Sequence, residues 1–405
     1  MNFQIRRILL SAAVGVMAGM AAAVFLIALN AATLLRESYP WLIWLLPAAG
    51  AVIGYAYYKY GQGTDKGTGL ILEQIHDPSN IIPFRMAPMV LLGTVLTHLF
   101  GGSAGREGTA VQMGASLADQ LNRFFKMSPE DRKALLIAGA GAGFSAAIGA
   151  PLAGALFGLE VIQVGRLRLF ALAECLVASF VAYYVCRLLG APHSVFGPVG
   201  DVSFSALGFV AVVGAGLVFG LAANIFMRFT HWIERCQKRY IRHPAFRPVV
   251  GGVLLVILYQ LEGSFRFVGL GIPVIQDYFS QSAAFLDPVY KTLFTGLTVG
   301  SGFKGGEFIP LVFIGSGLGS ALSVVLPVSV SLLAALGFAA VFGAAANTPL
   351  ACAVMACEIF GWHIAPYAFL VCLVAYFVSG HLGIYKNQKI ARSKRDQLLW
   401  VFRRK

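Results

Sequence analysis

At 405 residues, with 58% of them hydrophobic, only 12% charged and a mean hydropathy of +0.75, the chain is too apolar for an ordinary soluble protein. A net charge of +13 could suit nucleic acid, but the basic residues gather between apolar stretches, at Arg6 and Arg7, from Arg228 to Arg247, and from Lys386 to Lys405. Such clusters are what cytoplasmic flanks of a membrane protein carry, with attraction to anionic lipid contributing. We therefore exclude nucleic acid as a partner and expect a multi-pass protein of the inner (plasma) membrane with both termini in the cytoplasm.

Stretches nearly free of charge recur at 8–30, 41–56, 87–104, 134–159, 175–186, 203–227, 249–261, 293–303, 308–360 and 364–380. The first is longer than a signal-peptide core and has no hydrophilic mature region behind it, so it reads as a retained first helix. Several stretches exceed the roughly 20 residues that cross about 30 Å of hydrocarbon, whereas others are short or broken. The run at 308–360 must hold more than one helix, since a single helix of that length would extend about 80 Å.

Three polar breaks interrupt the apolar pattern. The first, KGTGLILEQIHD (66–77), places Thr68 between Gly67 and Gly69 ahead of a helix. The second, within GGSAGREGTAVQMGASLADQ (101–120), has glycines at 101, 102, 105 and 108 and a helix expected to start near Thr109. The third, GGEFIP (305–310), has two glycines before a helix entered through Pro310. Irregular backbone survives at membrane depth only where protein, water or ligand satisfies it, and free N–H groups at a helix start attract anions. Glu107 and Glu307 sit beside two of these breaks, and an ionisable residue inside a membrane segment points to function. Buried pairing with Arg106 is the structural alternative for Glu107, a helix cap is that for Glu307 and for Thr68, and Lys304 either neutralises Glu307 or marks the cytoplasmic lip.

The second and third breaks belong to an internal repeat. LIAGAGAGFSAAIGAPLAGALFGLE (136–160) corresponds to ALGFAAVFGAAANTPLACAVMACE (335–358), with Pro151 and Pro349, and Glu160 and Glu358, each 198 residues apart. Repeats of this kind build transporters in which half-helices meet near the bilayer midplane. Gly149-Ala150-Pro151 and Asn347-Thr348-Pro349 read as matched helix breaks. Glu160 and Glu358 read as braces for helix ends, with proton relay the alternative for Glu160. The six cysteines show no metal-like spacing and five lie in apolar stretches, so they read as small buried hydrophobes, and the seven histidines are scattered. No cofactor or metal is expected. No nucleophile–base set accompanies the glutamates, so the chain is not read as an enzyme.

GREGTAVQMG (105–114) resembles the GREGP-type motif of the CLC family of chloride channels and proton-coupled antiporters. GGEFIP resembles that family's GxFxP motif, and Tyr385 in GHLGIY (380–385) stands where the family has its pore tyrosine. The resemblance runs from the first helix to residue 385. It implies an all-α polytopic membrane fold with two inverted repeats, broken helices and about eighteen helices per subunit. The domain would span 1–385, with halves of roughly 1–190 and 200–385, followed by a basic cytoplasmic tail at 386–405. A homodimer with one anion pore per subunit is also implied. Residue by residue, Glu107 matches the external gating glutamate, and Thr68 stands where chloride-carrying members have the first serine of GSGIP. The backbone N–H groups of Phe308 and Ile309 would face the anion, with Gly105, Arg106 and Gly108 of the first motif and the Tyr385 hydroxyl completing the anion-binding set.

Departures from the family pattern set the expected substrate. GTGLI (67–71) replaces GSGIP, GREGT replaces GREGP, Val161 in GLEV (158–161) replaces the internal proton-transfer glutamate, and Glu307 precedes the pore phenylalanine. All four are similar to the family's fluoride-exporting branch, although Phe308-Ile309 stands where that branch often has Val-Thr. The resemblance thus implies fluoride/proton antiport with Glu107 and Glu307 as the gating and proton-coupling groups. A chloride/proton antiporter or a passive, voltage-gated chloride channel of the same fold are the alternatives.

Overall fold

The computed structural model describes residues 3–403, so Arg404 and Lys405, the end of the predicted tail, lie outside the described residues. The first half contains α1 (Phe3–Ser38), α2 (Leu46–Tyr60), α3 (Thr68–His76), α4 (Met86–Leu99), α5 (Glu107–Gln120), α6 (Asn122–Phe125), α7 (Pro129–Ile148), α8 (Pro151–Glu160), β1 (Gln163–Val164) and α9 (Leu172–Leu188). The second contains α10 (Ala206–Tyr240), α11 (Arg247–Glu262), α12 (Ile272–Asp277), α13 (Asp287–Gly300), α14 (Phe308–Leu322), α15 (Val330–Ala346), α16 (Pro349–Phe360), α17 (Ala365–Val378), β2 (Lys389–Ile390) and α18 (Lys394–Arg403). The all-α expectation holds, and the 308–360 run divides into three helices.

Five segments are long and apolar enough to cross a membrane, namely Ile5–Ser38, Pro40–Tyr60, Leu169–Leu188, Ala206–Tyr240 and Pro244–Glu262. These keep half or more of their most apolar windows uncovered, whereas the shorter α14, α15 and α16 are almost wholly buried. Long helices thus face lipid and shield short ones, whose open ends could not survive in hydrocarbon.

Small residues let the inner helices touch backbone to backbone. A Cβ added at Gly114 of α5 would lie 2.2 Å from the Gly139 carbonyl of α7. In the other half, one at Gly315 of α14 would lie 2.0 Å from the Gly337 carbonyl of α15. Without a hydrophobic force to draw helices together in lipid, such close packing holds them.

The two predicted helix breaks have matching backbone solutions. Gly149 ends α7 with φ 87° and Asn347 ends α15 with φ 58°, both left-handed, and Pro151 and Pro349 then open α8 and α16. Left-handed residues terminate a helix, and proline is tolerated in the first turn of the next. The new helix starts are capped across the repeat. Glu358, in α16, accepts hydrogen bonds from the Leu152 and Ala153 N–H groups of α8 at 2.9 and 2.7 Å. Glu160, in α8, accepts them from Leu350 and Ala351 of α16 at 3.1 and 2.8 Å. The repeated glutamates are reciprocal caps, which settles Glu160 in favour of the bracing role. Of the cysteines, five are buried and Cys236 is partly exposed.

The tail folds back onto the bundle. β2 pairs in parallel with β1, and Gln388 donates to the Val161 and Ala346 carbonyls at 2.8 and 3.1 Å. Arg7 pairs with Glu174 at the start of α9, so the N-terminal helix and the tail meet the same face of the protein.

Candidate anion and proton site

The three glycine-rich breaks converge. Gly105 and Gly306 form an antiparallel bridge, each donating its N–H to the other's carbonyl at 2.6 and 2.7 Å. A Cβ on Gly306 would lie 2.7 Å from the Gly108 nitrogen, so the two loops can meet this closely only as glycine. The bridge sets the starts of α5 and α14 side by side, and α3 begins beside them at Thr68 after Gly67, which adopts φ 56°. The α5 helix starts at Glu107, two residues before the expected position, because the Arg106 carbonyl already accepts from Thr109 and Ala110.

A cavity of about 580 Å³ lies between these helix starts. Of the residues expected from the sequence, Thr68, Gly108, Glu307 and Tyr385 line it, as does Lys304. Thr68, the first residue of α3 after Gly67, makes no side-chain hydrogen bond among the described residues. Glu307 precedes α14 in the N-cap position, yet its carboxylate caps nothing. The cap alternative for Glu307 therefore fails, and the residue lines the cavity. Lys304 makes no ion pair with Glu307 among the described residues; its ammonium stands 3.9 Å from the ring centre of Tyr57. The Tyr385 ring packs edge-on against Phe157 at 6.0 Å.

Glu107 lies one layer deeper, 1% exposed. Its carboxylate accepts the Arg106 backbone N–H and the Arg106 Nε, each at 3.2 Å. In this conformation the ion pair of the structural alternative is present, and Arg106, expected in the anion-binding set, faces Glu107 rather than the cavity. Gly105 is occupied by the bridge to Gly306. Phe308 and Ile309 are buried at the first turn of α14. The Phe308 ring joins a block in which Phe342 lies 4.6 Å and Phe144 5.8 Å away, while Phe144 and Phe157 stack at 4.0 Å.

Sequence reasoning missed several lining residues. Gln112 lies one turn beyond Gly108 on α5 and brings its amide beside Gly67; the four-residue spacing was a usable signal. Tyr57 offered none. At the exposed rim, Lys66 pairs with Glu73 at 2.8 Å, and Glu234 holds both Lys238 and Lys386. The hydrogen bond to Glu73 holds the Lys66 ammonium above its ordinary pKa. Such exposed pairs add little stability and serve to order charge around the mouth. No cluster of three or more metal-binding side chains occurs among the described residues.

Residues 49–380 match the family described as voltage gated chloride channel. A protein of Pseudomonas syringae pv. tomato named "Chloride/fluoride channel protein" is 48% identical over 398 residues, covering 96% of this chain and 88% of that protein. A solved structure described as a CLC-type fluoride/proton antiporter superposes with a TM-score of 0.93 at 36% identity, covering 96% of this chain and all of the other. A slow cyanobacterial Cl−/H+ antiporter shares the fold at a TM-score of 0.81 and 22% identity. The chain belongs to the voltage-gated chloride channel (CLC) family, and is a multi-pass ion-transport protein rather than an enzyme.

Proposed function

We propose that this CLC-family protein exports fluoride across the plasma membrane in exchange for protons. The observation that carries this reading is Glu307, whose carboxylate makes no capping bond and which lines the cavity within the second pore motif. At the position where chloride/proton antiporters of the family commonly carry an internal glutamate there is Val161, buried at the end of α8. A proton entering from the tail side thus has Glu307, and no inner glutamate at 161, as its carboxylate. The likeness to the fluoride/proton antiporter structure supports the same anion, and the name of the Pseudomonas relative includes fluoride beside chloride.

In this reading Glu107 is the gate. Ionised, its carboxylate competes for the space at the helix starts; protonated, it yields that space to the anion. The backbone N–H groups of Phe308 and Ile309, the Gly105–Gly108 turn with Arg106, and the hydroxyls of Thr68 and Tyr385 handle the anion. Fluoride is small and expensive to dehydrate, so close, strong donors are needed to replace its water. The missing Val-Thr hydroxyl at Phe308-Ile309 and the ring of Phe308 favour the second reading, chloride/proton antiport.

Flux from proteoliposomes separates the readings. Fluoride is expected to leave faster than chloride and to drive proton uptake, and Glu307→Ala is expected to weaken that uptake while fluoride still moves. Equal or faster chloride exchange in the parent returns the protein to the chloride group. Unchanged coupling in E307A removes Glu307 from the proton path. Passive fluoride flow with no proton movement in the parent identifies a channel.

The protein is further proposed to act as a homodimer with an independent pathway in each subunit and both termini in the cytoplasm. The basic clusters on the face shared by the N-terminal helix and the tail support that orientation. Crosslinking in bilayers should trap dimers, and a mixed dimer with one inactive subunit should keep about half of the parent's flux, as separate sites act additively. Only monomers under crosslinking, or a wholly inactive mixed dimer, would count against it.

A further inference from the structure

A second, smaller cavity of about 100 Å³ lies away from the transport site, where the end of α3, the start of α7 and the segment between β1 and α9 meet. That is space for one compact anionic group and a few waters. His76, Lys133 and Arg168 line it, with Ile137 and Ile162 as apolar walls and Phe170 at its edge. Neither Lys133 nor Arg168 forms an ion pair among the described residues. Among the described residues the buried His76 Nε2 makes no hydrogen bond of ordinary geometry, while the Ile162 carbonyl stands close to the imidazole. Lys389, at the start of β2, lies within electrostatic reach of the same imidazole. Cations gathered around one cavity repel one another, and an anion between them relieves that repulsion.

The surroundings identify the anion. Leu169 and Phe170 are 60% and 49% exposed and open the membrane-crossing segment Leu169–Leu188. The cavity therefore lies beside the start of a segment long and apolar enough to cross the membrane. It also lies on the face that the N-terminal helix and the tail share, through Arg7–Glu174 and β1–β2. Basic pockets between helices on a cytoplasmic face suit anionic headgroups.

We propose that this cavity binds a phosphate group, supplied by an anionic phospholipid whose acyl chains lie along Leu169 and Phe170. Lys133 and Arg168 hold the phosphate oxygens, and His76 provides the third polar contact. The site is independent of the transported anion, so its test does not depend on the antiport reading.

Native mass spectrometry of the full chain, purified from membranes containing phosphatidylglycerol and phosphatidylcholine, reads the proposal directly. The parent is expected to retain phosphatidylglycerol in preference, and K133A/R168A to lose that preference by roughly 30-fold, the effect of removing two basic contacts near a membrane surface. K133R/R168K, which keeps both charges, is expected to keep the lipid, and this control separates lost charge from lost folding. Inorganic phosphate forms the second arm. A rise in melting temperature with phosphate, present in the parent and absent from K133A/R168A, assigns the same cations to a phosphate from solution. Equal retention of the two lipids together with no phosphate effect overturns the proposal, as does retention unchanged in K133A/R168A.

Discussion

Glu107→Gln is expected to bring anion-driven proton uptake down to the level of protein-free liposomes. The carboxylate is 1% exposed and stands at the first residue of α5, next to the bridge that joins both pore loops. Glutamine keeps the size of the side chain and an oxygen for the Arg106 N–H, but it cannot gain and lose a proton. Ala at the same position removes the obstruction as well, so passive fluoride flow without proton movement is expected there. A second role for Glu107 predicts something else. Its carboxylate neutralises Arg106, and removing one partner of a buried pair costs about 3–5 kcal/mol. If the pair were its whole purpose, E107Q would melt earlier yet pump protons as well as the parent per folded molecule. Measuring proton uptake and thermal melting on the same preparation distinguishes the two. Uphill proton pumping by E107Q at the parental rate would sink the gate assignment.

Loss of the reciprocal caps is expected to be the most damaging change outside the transport site. Each carboxylate takes two N–H groups at the start of the opposing helix, Glu160 from a buried position and Glu358 from a partly buried one. Leaving two buried donors unpaired costs about 1–3 kcal/mol each, so Glu160→Ala should remove about 2–6 kcal/mol and Glu358→Ala, where water has more access, less. That is comparable to the entire margin of a typical fold, about 5–15 kcal/mol. Because both caps join α8 to α16, their losses should not add; the second should cost less once the first has loosened the contact. Glu→Gln, which keeps one acceptor oxygen, should fall between parent and Ala. Denaturation in detergent with the two single variants and the double variant provides the cycle. Parental melting of either Ala variant would show that the helix starts find other acceptors.

The membrane class, the polar breaks and the repeat were all legible in the amino-acid sequence, because each is written in local chemistry. Hydrocarbon excludes charge over a span of residues, glycine or asparagine accepts a left-handed turn, and proline opens the helix that follows. Gly149 and Pro151, with Asn347 and Pro349, carry that information within three residues each. The resemblance of GREGT and GGEFIP to known pore motifs then identified the residues worth testing.

What the tertiary structure alone decided is which groups meet. Glu160 could have relayed a proton or braced a helix until the Leu350 and Ala351 N–H groups were seen to fill its oxygens. Glu307 could have been a cap until its carboxylate was found bonded to none of the helix-start N–H groups, in a residue that lines the cavity. Tyr57 and Lys304, far apart in sequence, come together over one ring, and Lys133, Arg168 and His76 share a cavity without any common motif. A carboxylate beside free N–H groups and one beside open space can have the same sequence neighbours. The difference lies in the packing of segments up to about 200 residues apart, where close glycine contacts choose the partner and the surrounding apolar medium makes that choice energetically large.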